Sequence, residues 1–508
     1  MSLGAAGHET DADFAFLEKA SNVNEVLQIC VERLRELSVG ELVSGVHLVA
    51  KIAEADAHNL PSEGGAGGSG ILRDGRFEQL LARLRDRIDE LDSPRHVMRI
   101  LWALGKLNAS GRQCDAIVAG VALKVQPMLR QFNSMELSNS LWGLARLARG
   151  GPSSSGTDAR LTQLVSVLIT EGTSRVTMFS AQCLSNSLWA IAKLEFGGTA
   201  SEAFCRGCLA QIRKNEFSET TPQGFANSLW AVAKLRLPTH VAIPFCVDAA
   251  RYATDEPGDL SCFMPQELSM ALWAMAKVLG RRPAAKSASS SAGLAPEVEK
   301  FAVNVSEEGA RRLAEFSPQG LSNIAWALAT LELTRLPSAR RFISAAASLS
   351  LSELHAFPPQ AIANFCWALG RLDDAGQELA VFGVAAGQEA MRRESEFLWQ
   401  DLSSIVSAMM HKGCAQVREV RSFAAELARR AAGCCDSIGN QALLNIALAC
   451  VRMHVSADIL RPMAWGIAEV FTTRMHRLNE IDLRQWLEVQ RYCGLPGAGA
   501  PPPGFQTA

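Results

Sequence analysis

The stretch Leu137–Leu147 reads LSNSLWGLARL, and the chain returns to it repeatedly. Leu184–Leu194 is LSNSLWAIAKL, Phe225–Leu235 is FANSLWAVAKL and Leu268–Val278 is LSMALWAMAKV. Leu321–Leu331 is LSNIAWALATL and Ile362–Leu372 is IANFCWALGRL. A chain that repeats itself in this way is a stack of copies of one small unit, each burying its apolar face against its neighbours.

The tryptophan measures the period. It stands at Trp102, Trp142, Trp189, Trp230, Trp273, Trp326 and Trp367. Weaker copies place His47 in this slot at the front and Ser407, Leu448 and Trp486 at the back, giving eleven copies spaced 38 to 55 residues apart. That period suits a helix–turn–helix unit and is too long for a leucine-rich repeat. In FSPQGLSNIAWALATL (Phe316–Leu331), Ser317 stands as an N-cap and Pro318 at the first helical position, a strong helix start. Thr221–Pro222 and Ser93–Pro94 repeat the signal. A second apolar segment, such as Val298–Phe316, precedes each Trp segment and reads as a companion helix. A Phe ten residues before the slot, at Phe132, Phe179, Phe263, Phe316, Phe357 and Phe397, is expected to close the turn by packing under the Trp helix.

The expected fold is all-α, a right-handed α-solenoid of about eleven such repeats over residues 21–493, with the strongest copies in 93–372. The inserts 61–72, 149–158 and 279–296, rich in Gly and Ser, read as flexible loops. Residues 1–20 read as an acidic, partly disordered segment and 494–508 as a disordered Pro/Gly tail.

Formal charge is −2 and the isoelectric point about 6.5, which argues against a protein that coats nucleic acid indiscriminately. No apolar run reaches a membrane span. The N-terminus is acidic and resembles neither a signal peptide nor an Arg-rich transit sequence, so either the protein is cytosolic or a presequence is missing from this chain or atypical. The thirteen Cys are scattered on apolar helix faces, the usage of free thiols in a reducing compartment. Cys205 and Cys208 form one CxxC with no second ligand pair, so no metal site is expected. With no Walker loop, GxSxG or HExxH, and nine dispersed His, no catalytic residue, cofactor or small-molecule substrate is expected either.

At 100° per residue the Trp helix sorts into two faces. Leu184, Leu188, Ile191 and Leu194 exemplify the core stripe. The opposite face carries Gln at Gln182, Gln223, Gln266, Gln319, Gln360, Gln400 and Gln441, then Asn four residues on at Asn139, Asn186, Asn227, Asn323, Asn364 and Asn445. The Trp follows, and four residues later comes a base: Lys51, Lys106, Arg146, Lys193, Lys234, Lys277, Arg371 and Arg452. The four positions span only about 60°, so stacking should line them up as parallel rows. Small flanking residues (Ser185, Ala190, Ala192) would let a neighbour approach closely.

These residue types hold single-stranded RNA: bases meet phosphates, aromatics stack nucleobases and amides reach base edges. Each has a structural alternative. The Trp can wedge between repeats, the Asn can satisfy backbone groups between turns, and the Lys/Arg can answer the negative helix end. Target choice would need positions that vary between copies. The candidate is six residues before the slot: His96, Glu136, Cys183, Gly224, Glu267, Gly320, Ala361 and Asp401.

FSPQGLSNIAWALATL, FMPQELSMALWAMAKV and FPPQAIANFCWALGRL resemble the octotricopeptide repeat, whose copies carry a P-P-Q-x-L-[AS]-N-x-L-W-A-L-A-x-L pattern. The resemblance is specific over Arg95–Leu372 and weaker at His47 and from Gln400 to Trp486. It extends to the α-solenoids of FAST-kinase-like organellar proteins. It implies a non-catalytic RNA-binding protein of mitochondria or chloroplasts, acting in RNA processing, stabilisation, ribosomal RNA maturation or translation, with other RNA-processing or ribosomal proteins as partners. No RAP domain, which ends many such proteins, is visible after Trp486. A protein-binding scaffold of the HEAT or armadillo kind is the alternative.

Overall fold

The computed structural model describes residues 12–17, 20–59, 70–148, 159–255, 260–280, 294–373, 376–410 and 414–496. Among these there are twenty-two α-helices and no strand, so the all-α helical-repeat expectation holds. The helices fall into eleven companion–Trp pairs. Most of the three expected inserts, most of residues 1–20 and most of the 494–508 tail lie outside the described residues.

The chain divides into two compact units, Met1–Ala249 and Ala250–Ala508. In the first, the slot-bearing helices Val39–Asn59, Pro94–Lys106, Ser134–Leu147, Ala181–Leu194 and Pro222–Leu235 pack side by side in chain order. Their companions Val23–Glu32, Gly75–Asp86, Arg112–Met128, Ala159–Ser174 and Thr199–Lys214 form a second layer in the same order. In the second unit the Trp-type helices Pro265–Leu279, Pro318–Thr330, Pro359–Leu369, Trp399–Ala408, Asn440–Arg452 and Glu480–Cys493 line up likewise. Their companions, from Pro296–Arg311 to Ala457–Arg474, again make the other layer.

The start signals act as read, with one exception. Ser317 Oγ accepts from the Gly320 amide at 3.2 Å, Thr221 Oγ1 from Gly224 at 3.1 Å and Ser180 Oγ from Cys183 at 3.3 Å, each meeting an orphan amide of the first turn. Ser93 makes no such bond. Its φ of −125° differs from the −67° and −68° of the capping Thr221 and Ser317.

The six recurrent Phe end the turn as expected. Phe132, Phe179, Phe263, Phe316, Phe357 and Phe397 are all buried. The amides of Phe132, Phe179, Phe316, Phe357 and Phe397 each close a single 3₁₀ turn onto the carbonyl three residues back.

The slot-bearing helices approach closely because the residues between them are small. A Cβ added to Gly143 would stand 2.3 Å from the Leu101 carbonyl oxygen, and one on Gly105 2.9 Å from Gly143 Cα. Of the buried serines on these helices, Ser185 Oγ donates to the Gln182 carbonyl at 3.1 Å and Ser322 Oγ to that of Gln319 at 3.1 Å, whereas the Ser140 and Ser187 hydroxyls have no partner among the described residues.

The last copy departs from the expected register. In earlier copies the slot lies nine residues after the N-cap, as in Ser180 to Trp189. In Glu480–Cys493 the N-cap is Asn479, so Trp486 stands two residues early and Glu488 falls in the slot. Trp486 instead turns into the core, buried, with its ring edge-on to Phe471 at 5.4 Å.

Candidate nucleic-acid interface

The slot residues build two ladders. In the first unit His47 lies 4.9 Å from Trp102, ring centroid to centroid. Trp102, Trp142, Trp189 and Trp230 then follow at 6.4, 6.2 and 6.4 Å. In the second unit Trp273, Trp326 and Trp367 are 6.4 and 6.2 Å apart. Interplanar angles of 28° to 38° make these tilted, offset stacks, a favourable aromatic arrangement. All seven indoles are half-buried. They therefore pack between repeats, and rungs already in contact leave no room for a nucleobase between them. Their outer edges still reach solvent.

The bases stand over those edges. Lys106 Nζ is 5.9 Å from the Trp102 centroid and 5.6 Å from that of Trp142. Arg146 lies 5.8 Å over Trp142, Lys234 5.7 Å over Trp230 and Lys277 5.5 Å over Trp326. Arg371 is closest, 4.9 Å over Trp367. An exposed cation on an indole gains ~0.5–1 kcal/mol, enough to steer these flexible side chains along the ladder.

The row is not uniform. Lys106 forms a 2.5 Å ion pair with Glu54, and Arg452 pairs with Glu488 at 2.9 Å. Arg146, Lys193, Lys234 and Arg371 are exposed and make no ion pair among the described residues. Both acids escaped sequence reasoning, because Glu54 lies on the preceding copy and Glu488 in the shifted last one.

The amide rows flank the ladder. Gln182, Gln223, Gln266 and Gln360 are exposed and Gln319 half-buried, as are Asn139, Asn186, Asn227, Asn323 and Asn364. Gln319 Nε2 donates to Asn323 Oδ1 at 2.9 Å, and Gln441 to Asn445 likewise. Among the described residues no hydrogen bond joins these Asn to a neighbouring helix, so the Asn ladder between turns is absent there.

The variable position serves the helix start. Glu136 accepts from the Asn133 amide at 2.9 Å, Glu267 from Met264 at 2.8 Å and Asp401 from Leu398 at 3.2 Å. Cys183, Gly224 and Gly320 instead give their own amides to the capping side chain. Six of the eight are buried. Their variation reflects alternative ways to cap a helix, which corrects their reading as selectors of a target.

One recurrent device was missed altogether. Arg312, four residues before Phe316, donates to the Phe263 carbonyl of the preceding copy at 2.9 Å. Arg393, four before Phe397, reaches Phe357 O at 2.8 Å and His355 O at 3.2 Å. Arg474 reaches Ile438 O at 2.9 Å, and Arg87 reaches Leu37 O. The guanidinium fork satisfies turn carbonyls that no helix bond can reach. The sequence signal was present: Arg four before the Phe slot with Glu three later, as in Arg312–Glu315 and Arg393–Glu396.

Cys205 and Cys208 are both buried in Thr199–Lys214, and burial pushes the Cys205 thiol up to about 12 and that of Cys208 well up. Among the described residues no group of three or more His, Cys, Asp or Glu could hold a metal ion, and no helix is long and apolar enough to cross a membrane. No family model and no curated protein matches this chain.

Proposed function

We propose that this protein is a non-catalytic helical-repeat RNA-binding protein that holds single-stranded RNA along the polar face of its Trp helices. The observation that carries the reading is a set of exposed bases, Arg146, Lys193, Lys234 and Arg371, that make no ion pair among the described residues; Arg146, Lys234 and Arg371 lie over half-buried indoles, and exposed or half-buried amides stand alongside. Phosphates meet the bases, and Gln and Asn amides reach base edges. The indoles act as scaffold along most of the row, their faces being occupied by one another. The resemblance of the repeats to the octotricopeptide pattern supports a role in organellar RNA processing, stabilisation, ribosomal RNA maturation or translation. Photo-crosslinking to short single-stranded RNA, followed by peptide mapping, tests the assignment. Crosslinks should fall on the last turns of the Trp helices, and crosslinks confined to the companion helices would refute it.

A further inference from the structure

Past Trp367 the ladder stops, but the helix packing does not. Gly105 and Gly143, three residues past one slot and one past the next, touch in the first unit. Gly370 and Ala408 stand in the same relation: a Cβ on Gly370 would lie 3.3 Å from Ala408 Cβ. The register of neighbouring helices is kept, and Ser407 occupies the place of the next indole. Ser404 likewise stands where earlier copies carry Asn. Trp367 therefore has Trp326 at 6.2 Å on one side and only a serine in the slot on the other.

Two further observations define what fits there. Ser407 Oγ is buried and has no hydrogen-bond partner among the described residues, a state with a real desolvation cost. The Arg371 guanidinium lies 4.9 Å from the Trp367 centroid, nearer than the 5.5–5.9 Å of the other bases over their slot rings. A flat ring continues the ladder, a polar ring edge satisfies the serine hydroxyl, and an anion attached to the ring meets the arginine. The geometry points to a nucleobase-stacking site on Trp367, completed by Ser407 and Arg371, at which one nucleotide of a bound single strand takes the rung after Trp367. The inference rests on the RNA-binding reading and adds one stacked base to a strand otherwise held through its phosphates and base edges.

Ser407→Trp tests it by filling the slot with the residue the other copies carry. The variant should unfold no earlier than wild type, bind short single-stranded RNA about 5- to 150-fold more weakly, and keep the wild-type salt dependence. In wild type, RNA carrying 4-thiouridine should crosslink to the peptides containing Trp367 or Ser407, and this crosslink should vanish in the variant. Salt-sensitive RNA binding with unchanged affinity in Ser407→Trp and no such crosslink would overturn the site while leaving the binding face intact. Absence of any RNA binding would overturn both. Should Ser407→Trp fail to fold, the wild-type crosslink alone decides.

Discussion

Arg393 donates to the carbonyl oxygen of Phe357 at 2.8 Å, joining one repeat's turn to the turn before it. The side chain is 11% exposed and also pairs with Glu396 at 2.6 Å and Glu389 at 3.4 Å. Removing it strands a turn carbonyl and takes one partner from Glu389, which keeps its two bonds from Arg392. Arg393→Ala should cost about 2–4 kcal/mol in urea unfolding, whereas Arg392→Ala, at an exposed neighbour, should cost about 0–1 kcal/mol. Equal losses would remove the staple from the account.

The same carboxylates set a pH dependence. Hydrogen bonds from Arg392 and Arg393 lower the Glu389 pKa, and one from Arg393 lowers that of Glu396, both from the usual 4.5. A lowered folded pKa contributes stability above the unfolded value, lost as pH falls through the folded one. Burial raises Glu267 instead, so the unfolded chain releases that proton first and stability drops as pH climbs past 4.5. Glu396→Gln should thus be more destabilising at pH 7 than below pH 4, and Glu267→Gln less so. Matching pH profiles for the two variants would contradict this assignment.

The seam of small residues permits a sharp substitution. A Cβ on Gly143 would meet Leu101 backbone at 2.3 Å, and backbone cannot swing aside. Gly143→Ala should destabilise by about 1–3 kcal/mol, although alanine is the better helix former and fills this position in other copies. A neutral or stabilising result by chemical denaturation would show that the helices are not this close.

Trp142 is stacked on both sides. Trp142→Ala should cost about 3–5 kcal/mol, and a double-mutant cycle with Trp189 should give a coupling near 0.5–1.5 kcal/mol. A coupling of zero would mean that the two rings share a slot without interacting.

Much of this architecture was legible in the sequence because each signal had a local cause. Ser317–Pro318 fixes a helix start, Phe316 ends a turn, and the leucines of Leu184–Leu194 mark the core side. Trp486 was misplaced because only its spacing was visible, whereas the turn ending at Leu478 sets the register of its helix. The division of labour at the site was less legible. The helical period puts the indole at the border of core and polar face, and only packing decides which neighbour it meets. Glu54 against Lys106 and Arg393 against Phe357 join residues more than thirty-five apart, and periodicity within one copy does not report such pairs.

The most direct test of the central claim is affinity for a short single-stranded RNA measured across a salt series, for wild type and for Lys193→Ala/Lys234→Ala/Lys277→Ala. Each phosphate held contributes roughly 0.7 to the slope of log affinity against log salt. The account predicts a steep loss of wild-type affinity with salt and a slope shallower by about 2 in the triple variant. Salt-insensitive binding, or identical slopes for the two proteins, would contradict it.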